Sequence, residues 1–342
     1  MIRIAVVLLN WNGKHLLEEF LPYVIKHSDM AGVSIFVADN GSADDSVSFI
    51  ENKFPTVKTI LLDRNYGFAE GYNRALNQIE AEYFVLLNTD VKVSERWLNP
   101  LLNILDSDHL VAACMPKIRS FHQPDFFEYA GAAGGFIDKY GYPFCQGRIF
   151  DSLESDFGQY DSPKEIFWAT GACLMVRASL FRILGGFEPG FFAHMEEIDL
   201  CWRLKNRGYK IMISPESIVY HVGGGTLPQS NPHKTYLNFR NNLFMVYRNL
   251  PSKKLVSVLI IRILMDFLSV FRFLMKGSFR DIIAIFKAHL DFYKGLKYCR
   301  DFRRNERKFI TGYFHRQIYY KSIVMEYFLR RKYTFKSLKW KV

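Results

Sequence analysis

The chain has 342 residues, of which 49% are hydrophobic and 16% aromatic, and its formal net charge at pH 7 is +11. This length and apolar content supply a core for one large domain or two ordinary domains. The five cysteines are scattered and include no CxxC pair. The sequence therefore disfavours a disulfide framework and a zinc site, and it indicates a reducing compartment.

The charge is divided unevenly along the chain. Residues 250–342 hold 22 Lys and Arg against 6 Asp and Glu, whereas residues 1–249 hold 23 basic and 28 acidic side chains. A mildly acidic body is thus followed by a strongly basic tail. Such a tail points to an anionic partner, either lipid headgroups or nucleic acid.

Strands and helices are predicted to alternate along the first ninety residues. Continuous apolar runs predict buried strands, and apolar residues at helical spacing predict helices between them. The predicted strands cover residues 2–9, 33–38, 59–62 and 83–87, and the predicted helices cover residues 14–27, 44–53 and 72–78. This alternation is typical of a parallel α/β sheet with right-handed crossovers.

Short polar side chains follow each of these strands. They are Asn10, Asn12, Asp39, Asn40, Ser42, Asn65, Asn88 and Asp90. Because the carboxyl ends of parallel strands share one edge, these side chains are expected to converge on one crevice. The Asp90 carboxylate suits a hard divalent cation that also holds phosphate oxygens. An Asn/Asp turn without a metal is the alternative.

No GxGxxG motif follows the first strand, which disfavours a dinucleotide fold of the usual dehydrogenase kind. Gly67 and Gly71 instead flank Phe68 at the predicted start of a helix. Glycines there permit a close backbone approach to a ligand. A glycine-rich loop that simply leads into a helix is the alternative.

Residues 38–44, 65–73 and 86–90 resemble the corresponding segments of family 2 glycosyltransferases, and most closely those of the rhamnosyltransferase-like group. The resemblance implies the GT-A fold, a nucleotide-diphospho-sugar donor and Mg²⁺ or Mn²⁺. It implies that Asp39 contacts the nucleobase and that Asp90, the last position of a DxD-type motif, binds the metal. The remaining polar residues at the strand ends, with Gly67, Phe68 and Asn73, are then candidates for donor binding.

Asn88 stands where a carboxylate often stands in the family. A site with one carboxylate would hold the metal weakly until the pyrophosphate of the donor completes its coordination shell.

The regular alternation of predicted strands and helices ends after a helix at residues 97–105 and a strand at 111–115. Residues 116–163 are rich in glycine and aromatic residues, and such segments often form the acceptor side in the family. Residues 167–176 predict a strand interrupted at Gly171, which suggests a close backbone approach and adds Gly171 to the donor-side candidates.

A second block of candidates is Glu196-Glu197-Ile198-Asp199, which follows a glycine- and aromatic-rich stretch. Carboxylates near a helix N-terminus are favoured by the helix dipole, so capping alone could explain them. A carboxyl group with a raised pKa is the functional alternative.

The block resembles the family's ED-x-D motif, which implies that Glu197 is the catalytic base and Glu196 its nearest rival. Asp199 and Arg203 are four residues apart, which favours a structural role for Asp199. One base and direct displacement at the anomeric carbon predict inversion of configuration.

Two further residues are candidates for contact with the donor. His221 precedes the glycines at 223–225 and is either a second metal ligand, a pyrophosphate contact or a structural histidine. Arg240 lies in a helix predicted at residues 236–247, where it either faces the donor phosphates or belongs to a solvated basic face.

The basic tail begins with an apolar segment, residues 255–275, that contains Arg262, Asp266 and Arg272 on one helical stripe. Because spanning a bilayer would bury these charges, we expect a helix lying in the membrane interface. A helix packed on the catalytic domain is the alternative. The aromatic and basic residues farther along suit anionic headgroups or single-stranded nucleic acid, and the upstream motifs favour lipid.

The sequence therefore predicts a GT-A catalytic domain at residues 1–249, with a donor half at about 1–115 and an acceptor half at about 116–249. Residues 250–342 would form a membrane-associating region on the cytoplasmic face, with no nucleic acid partner. The resemblance implies transfer of a sugar, L-rhamnose from dTDP-rhamnose, to a saccharide or lipid-linked acceptor in cell-surface polysaccharide synthesis. Another hexose, and a nucleotide-sugar-binding protein without catalysis, are the alternatives.

Overall fold

The computed structural model describes residues 2–223 and 231–340. Residues 224–226, part of the predicted glycine segment after His221, lie outside the described residues. The strands are β1 (Ile2–Asn10), β2 (Val33–Asp39), β3 (Lys58–Leu61), β4 (Ala81–Leu87), β5 (Val91–Val93), β6 (Val111–Ser120), β7 (Gly135–Asp138), β8 (Pro143–Cys145), β9 (Arg148–Ile149), β10 (Ser152–Leu153), β11 (Lys164–Ile166), β12 (Cys173–Arg177), β13 (Lys210–His221) and β14 (Ile318–Tyr319).

The helices account for most of the remaining described chain. They are α1 (Lys14–His27), α2 (Ser46–Lys53), α3 (Gly67–Leu76), α4 (Leu98–Ser107), α5 (Ala178–Ile183), α6 (Glu196–Asn206), α7 (Pro232–Asn249), α8 (Ser252–Met275), α9 (Phe279–Lys294), α10 (Leu296–Glu306) and α11 (Ile323–Phe328). In the described part of the chain, none of them combines the length and apolarity that crossing a membrane requires.

The main sheet has the strand order β11-β13-β6-β12-β4-β1-β2-β3, and β5 pairs with β13 at its side. Strands β1 to β4 run parallel, as the alternation of strands and helices predicted. β12 runs antiparallel between β4 and β6, so the sheet is mixed. Residues Ile4 to Leu8 of β1 are fully buried, because this strand is central and its two faces are covered. The fold is α/β with a mostly parallel central sheet, as predicted.

Three local predictions were wrong. α3 begins at Gly67, five residues earlier than predicted, because the Phe192 carbonyl accepts hydrogen bonds from the N–H groups of Phe68 (2.7 Å) and Ala69 (3.1 Å). This distant contact satisfies donors that a helix start otherwise leaves unpaired. The strand predicted at 167–176 with an interruption at Gly171 is limited to β12, because the chain turns at residues 171–172. The two strands predicted at 209–213 and 217–220 are one strand, β13, with an irregularity between Ser214 and Ile218.

A second sheet lies in the region where the sequence pattern loosens. Its order is β10-β9-β8-β7-β14, and β14 comes from the basic tail. Phe136 in β7 and Phe144 in β8 contact the rings of Phe335 and Trp340 near the end of the chain. Part of the tail therefore belongs to the folded body, because its aromatic side chains complete an apolar cluster.

Candidate functional site

Two polar side chains meet where β1 and β2 end. Asn10 and Asp39 are neighbours in register, and the Asn10 Nδ2 donates to Asp39 Oδ2 at 3.0 Å. The Ser42 N–H donates to the other carboxylate oxygen at 2.9 Å. Asp39 and Asn10 are both buried, and the Asn10 Oδ1 has no hydrogen-bond partner among the described residues. The Asp39 carboxylate is thus held in one orientation at the edge of the crevice.

Asn12 joins the loops that follow β1 and β2. Its backbone N–H donates to Ser42 Oγ (2.9 Å), and its Oδ1 accepts from the Ala43 N–H (2.7 Å). The residue has a positive φ of 51°, which asparagine tolerates better than most residues. Asn12 and Ser42 therefore shape the crevice through contacts with each other.

The predicted amides after β2 and β3 also hold one another. The Asn40 Nδ2 donates to Asn65 Oδ1 (3.1 Å) and to the Gly67 carbonyl (3.0 Å). The Asn65 Oδ1 also accepts from the Gly67 N–H at 2.8 Å. Gly67 has φ +75°, and a Cβ there would lie 2.5 Å from the Phe192 ring. Only glycine fits this close approach between α3 and the loop before α6.

Asn73, Phe68 and Gly171 lie at the contact between the donor half and the loop before α6. Asn73 exchanges two hydrogen bonds of 2.9 Å with the backbone of Phe187, so both ends of its amide are engaged by the protein. The Phe68 ring packs on Tyr72 and Phe187, and a Cβ at Gly171 would lie 3.1 Å from it. These residues fix the position of the acidic block relative to α3.

Asp90 and His221 face each other at the same edge of the sheet. Asp90 Oδ1 lies 3.1 Å from His221 Nε2, and Asn88 Nδ2 lies 3.4 Å from the same nitrogen. On the far side of the imidazole, His221 Nδ1 lies 3.0 Å from Glu128 Oε2. Asp90, His221 and Glu128 are all buried. The imidazole therefore lies between two carboxylates.

These residues fit a divalent cation that is held jointly with a substrate. Asp90 presents a carboxylate oxygen and His221 an imidazole nitrogen to one place, and two protein ligands leave the other positions to phosphate oxygens and water. Among residues 2–223 and 231–340, no group of three or more His, Cys, Asp and Glu is arranged to hold a metal by itself. The metal site with one carboxylate stays a prediction.

The loop before α6 is strained. Phe192, His194 and Met195 have φ values of 64°, 71° and 73°, a left-handed conformation that is uncommon outside glycine. Asn241 of α7 restrains this loop, because its Nδ2 lies within hydrogen-bond distance, 2.8–2.9 Å, of the carbonyls of residues 191, 193 and 194. The strained turn sets the direction in which α6 begins.

Glu196 and Glu197 open α6. Glu196 is 4% exposed and Glu197 is partly exposed, and each has one buried carboxylate oxygen with no hydrogen-bond partner in the described chain. Burial raises the pKa of Glu197 to about 7, although the N–H groups at its own helix terminus and of Gly171 act in the opposite direction. Burial and the neighbouring Glu197 raise the pKa of Glu196 as well. A carboxyl group of this kind can accept a proton near neutral pH.

Asp199 is fully buried in contacts within the protein. Its Oδ2 accepts from Arg203 Nε and its Oδ1 from Asn249 Nδ2, each at 2.8 Å. Arg248 lies 3.4 Å from the same carboxylate and also binds Glu188. This network ties α6 to α7.

Arg240 lies in α7, as predicted, and its guanidinium binds the protein. It donates to the Gly190 carbonyl (2.7 Å), to Tyr236 Oη (3.0 Å) and to Asn241 Oδ1 (2.9 Å). Its contacts therefore reinforce the restraint on the loop before α6.

The sequence did not single out Glu128 or Asn241 as site residues. Glu128 lies in the irregular region 116–163, where the spacing of residues does not predict which way a side chain points. It approaches His221, which lies 93 positions later in the sequence, only in the folded chain. Asn241 is adjacent to Arg240, but its role depends on the path of the loop that it restrains.

Comparisons with known proteins identify relatives of this chain. The profile described as "Glycosyl transferase family 2" matches residues 5–182. An N-acetylglucosaminyl-diphospho-decaprenol L-rhamnosyltransferase of Mycobacterium tuberculosis is 27% identical over 227 residues, which cover 61% of this chain and 72% of the relative.

Two solved structures have a similar fold. The Staphylococcus aureus TarS fragment 1–349 in complex with UDP-GlcNAc has a TM-score of 0.57 at 15% identity and covers 89% of each chain. The mannosyltransferase PcManGT from Pyrobaculum calidifontis, in complex with GDP-Man and Mn²⁺, has a TM-score of 0.51 at 14% identity and covers 90% of this chain and 84% of its own. These similarities confirm the GT-A fold.

Proposed function

Because the chain belongs to glycosyl transferase family 2, we propose that it is an inverting, metal-dependent transferase that moves L-rhamnose from dTDP-rhamnose to a saccharide or lipid-linked acceptor in cell-surface polysaccharide synthesis. The observation that carries the proposal is the pair of carboxylates at the start of α6. Each has an oxygen with no partner among the described residues, and the pKa of Glu197 is raised. Gly171 and Phe192 join this pair to the donor half.

The donor would lie along the carboxyl edge of β1, β2 and β4. Asp39, held by Asn10 and Ser42, would accept a hydrogen bond from a nucleobase N–H. Asn88 and the Asp90–His221 pair would face the diphosphate. The choice of rhamnose rests on the mycobacterial relative and on the motifs at residues 65–73 and 86–90.

Asp90 and His221 would hold Mg²⁺ or Mn²⁺, and the bound cation would neutralise charge on the departing diphosphate. Glu128, with its Oε2 3.0 Å from His221 Nδ1, would hold the ring from the other side.

Glu197 would take the proton of the acceptor hydroxyl as its oxygen attacks the anomeric carbon from the side opposite the diphosphate. A base with a pKa near the working pH serves this step best. One base and one displacement invert the anomeric configuration. Glu196 lies in the same electrostatic environment but is more deeply buried, so it is the nearest rival.

The mycobacterial relative is named for an N-acetylglucosaminyl-diphospho-decaprenol, which supports a lipid-linked acceptor. We extend the proposal to the rest of the predicted organisation, with a catalytic domain at residues 1–249 and a basic region at 250–342. Part of this basic region packs on the second sheet, and another part would meet an anionic membrane surface on the cytoplasmic side. The apolar outer side of α8 and α9 favours lipid over nucleic acid as this partner.

A donor panel tests the proposal. The purified chain is given each nucleotide sugar with a saccharide or lipid-linked acceptor and Mn²⁺ or Mg²⁺, and release of the nucleoside diphosphate is measured before and after EDTA. We expect release from dTDP-rhamnose that EDTA and Asp90→Asn both abolish. Asp151→Asn, at a carboxylate whose side chain is 72% exposed, is the matched control and keeps full activity.

Release of the nucleoside diphosphate in the presence of EDTA would contradict the proposed metal dependence. Release from a different nucleotide sugar alone would contradict rhamnose as the transferred sugar. Donor binding without release, in the presence of every acceptor, would contradict the assignment as an enzyme.

A further inference from the structure

Two of the charged residues on the polar stripe of α8 face the protein. Arg262 and Asp266 are 2% and 0% exposed. The Arg262 guanidinium lies 3.6 Å from the centroid of the Tyr142 ring, and Asp266 accepts from Tyr142 Oη at 3.1 Å. His289 of α9 lies 3.2 Å from the other oxygen of Asp266. The charges that exclude α8 as a membrane-spanning helix therefore attach it to the folded body.

The outer face of α8 and α9 is apolar. The two helices are joined by three residues at Gly277 and pack as a hairpin, with Phe267 against Phe286 and His289. Six aliphatic or aromatic residues on this face are 55–69% exposed: Ile260, Leu264, Leu268, Phe271, Ile283 and Leu290. Exposed apolar residues are common singly, but a continuous face of them marks a site of interaction.

The charges at the outer face are positive. Lys254 of α8 and Lys276 at its end are exposed, whereas the exposed Lys287 of α9 has its Nζ 5.1 Å from the centroid of the Tyr236 ring of α7. All three acidic residues of α8 and α9 bind inward. Asp266 binds Tyr142 and His289 as described above, Asp281 accepts from Thr235 Oγ1 (2.6 Å), and Asp291 accepts from Tyr236 Oη (2.8 Å). The outer face thus combines apolar side chains with cations and presents no carboxylate of its own helices.

We propose that this outer face of α8 and α9 docks in the interface of an anionic lipid bilayer, with the two helices lying along the membrane. Aliphatic side chains would enter the boundary between headgroups and acyl chains, and the lysines would contact anionic headgroups. A second copy of the chain is disfavoured as the occupant, because a symmetric contact would bring lysines of both copies together. The docking itself is independent of the proposed function, and only its connection with a lipid-linked acceptor rests on that function.

The docked helices connect directly to the candidate site. α9 packs along α7, and Asp291 of α9 binds Tyr236, which in turn accepts from Arg240. Arg240 and Asn241 hold the strained loop before α6. A membrane in contact with α9 would thus be separated only by α7 from the loop that positions Glu196 and Glu197. This arrangement suits an acceptor that is carried by a lipid.

Vesicle flotation tests the docking without donor or acceptor. The full chain is mixed with phosphatidylcholine vesicles that contain phosphatidylglycerol, and separately with pure phosphatidylcholine vesicles. We expect binding to the anionic vesicles that is at least about tenfold tighter than to the neutral ones and that weakens as salt is added.

Two isoleucines provide a matched pair of variants. Ile283 in α9 and Ile183 in α5 are both helical and both 66% exposed. We expect Ile283→Glu to weaken vesicle binding about tenfold or more and Ile183→Glu to leave it unchanged. Because both side chains face solvent, both variants should keep the wild-type unfolding midpoint, which circular dichroism checks.

Equal vesicle binding by the two variants would overturn the proposal, as would equal binding of the wild type to neutral and anionic vesicles. Loss of a stable dimer in Ile283→Glu, seen by sedimentation velocity with unchanged vesicle binding, would assign the face to a second copy. Transfer to a water-soluble saccharide acceptor should be unchanged in Ile283→Glu. Failure of the docking is therefore distinguishable from failure of the proposed chemistry.

Discussion

Replacing Glu197 with glutamine tests separately what the buried carboxylate contributes to catalysis and how much it destabilises the folded protein. The amide keeps the size of the side chain but cannot accept a proton from the acceptor. General-base catalysis contributes about 10²- to 10⁴-fold to rate. We therefore expect Glu197→Gln to lower kcat by about that factor, while calorimetry shows unchanged donor binding.

The same variant should be more stable than the wild type at alkaline pH. Burial raises the pKa of Glu197 from 4.5 to about 7, so the folded state binds the proton more tightly than the unfolded chain. Wild-type stability then falls as the pH rises from about 4.5 to about 7 and stays low above that range. At 1.36 kcal/mol for each pKa unit, the loss is at most about 3 kcal/mol. Glutamine does not ionise and avoids this loss.

Urea unfolding at about pH 8 and about pH 4.5 measures this difference, and the pH dependence of kcat/KM gives an independent check. We expect the variant to gain about 1–3 kcal/mol over the wild type at the higher pH and little at the lower pH. Wild-type kcat/KM should rise about tenfold per pH unit below about 6 and level off above about 8.

Glu196→Gln is the matched control, because it removes a neighbouring buried carboxyl by the same change. It should also stabilise the protein at high pH, because the pKa of Glu196 is raised too. It should retain much more turnover than Glu197→Gln. Full activity in Glu197→Gln together with loss in Glu196→Gln would refute the assignment of the base, and loss of stability at high pH in both would refute the role of burial.

Three further substitutions test residues that position or stabilise the candidate site. Glu128→Gln should weaken donor-dependent Mn²⁺ binding, measured by electron paramagnetic resonance, about 10- to 100-fold because the orientation of His221 is lost; unchanged affinity would contradict that role. Arg248→Met should lower the free energy of unfolding in urea by about 3–5 kcal/mol, because it leaves buried carboxylates unpaired. Arg272→Met, which removes an exposed ion pair, is the control and should lower it by only about 0–1 kcal/mol. Gly67→Ala should weaken donor binding and lower the unfolding midpoint, since a Cβ meets the ring at 2.5 Å; a wild-type midpoint would contradict the close approach.

The order and type of the first elements could be predicted because their causes are local. β1 and α1 follow directly from a continuous apolar run and from helical spacing. Asp39 and Asp90 could be placed at one edge because parallel strands bring their carboxyl ends together. The start of α3 could not be predicted, since its first N–H groups are satisfied by the carbonyl of Phe192, more than a hundred residues away.

What the sequence by itself determined is which residues end the strands and which carboxylates open α6, because period and propensity act over a few neighbouring residues. Only the tertiary structure decided which of these groups touch one another. It turned Asn73 and Arg240 onto backbone atoms of the loop before α6, and it brought Glu128 to His221. It also turned Arg262 and Asp266 of α8 inward and the apolar face of the helix outward. A helical period defines two faces but not which face is buried, because that depends on what the rest of the chain packs against it.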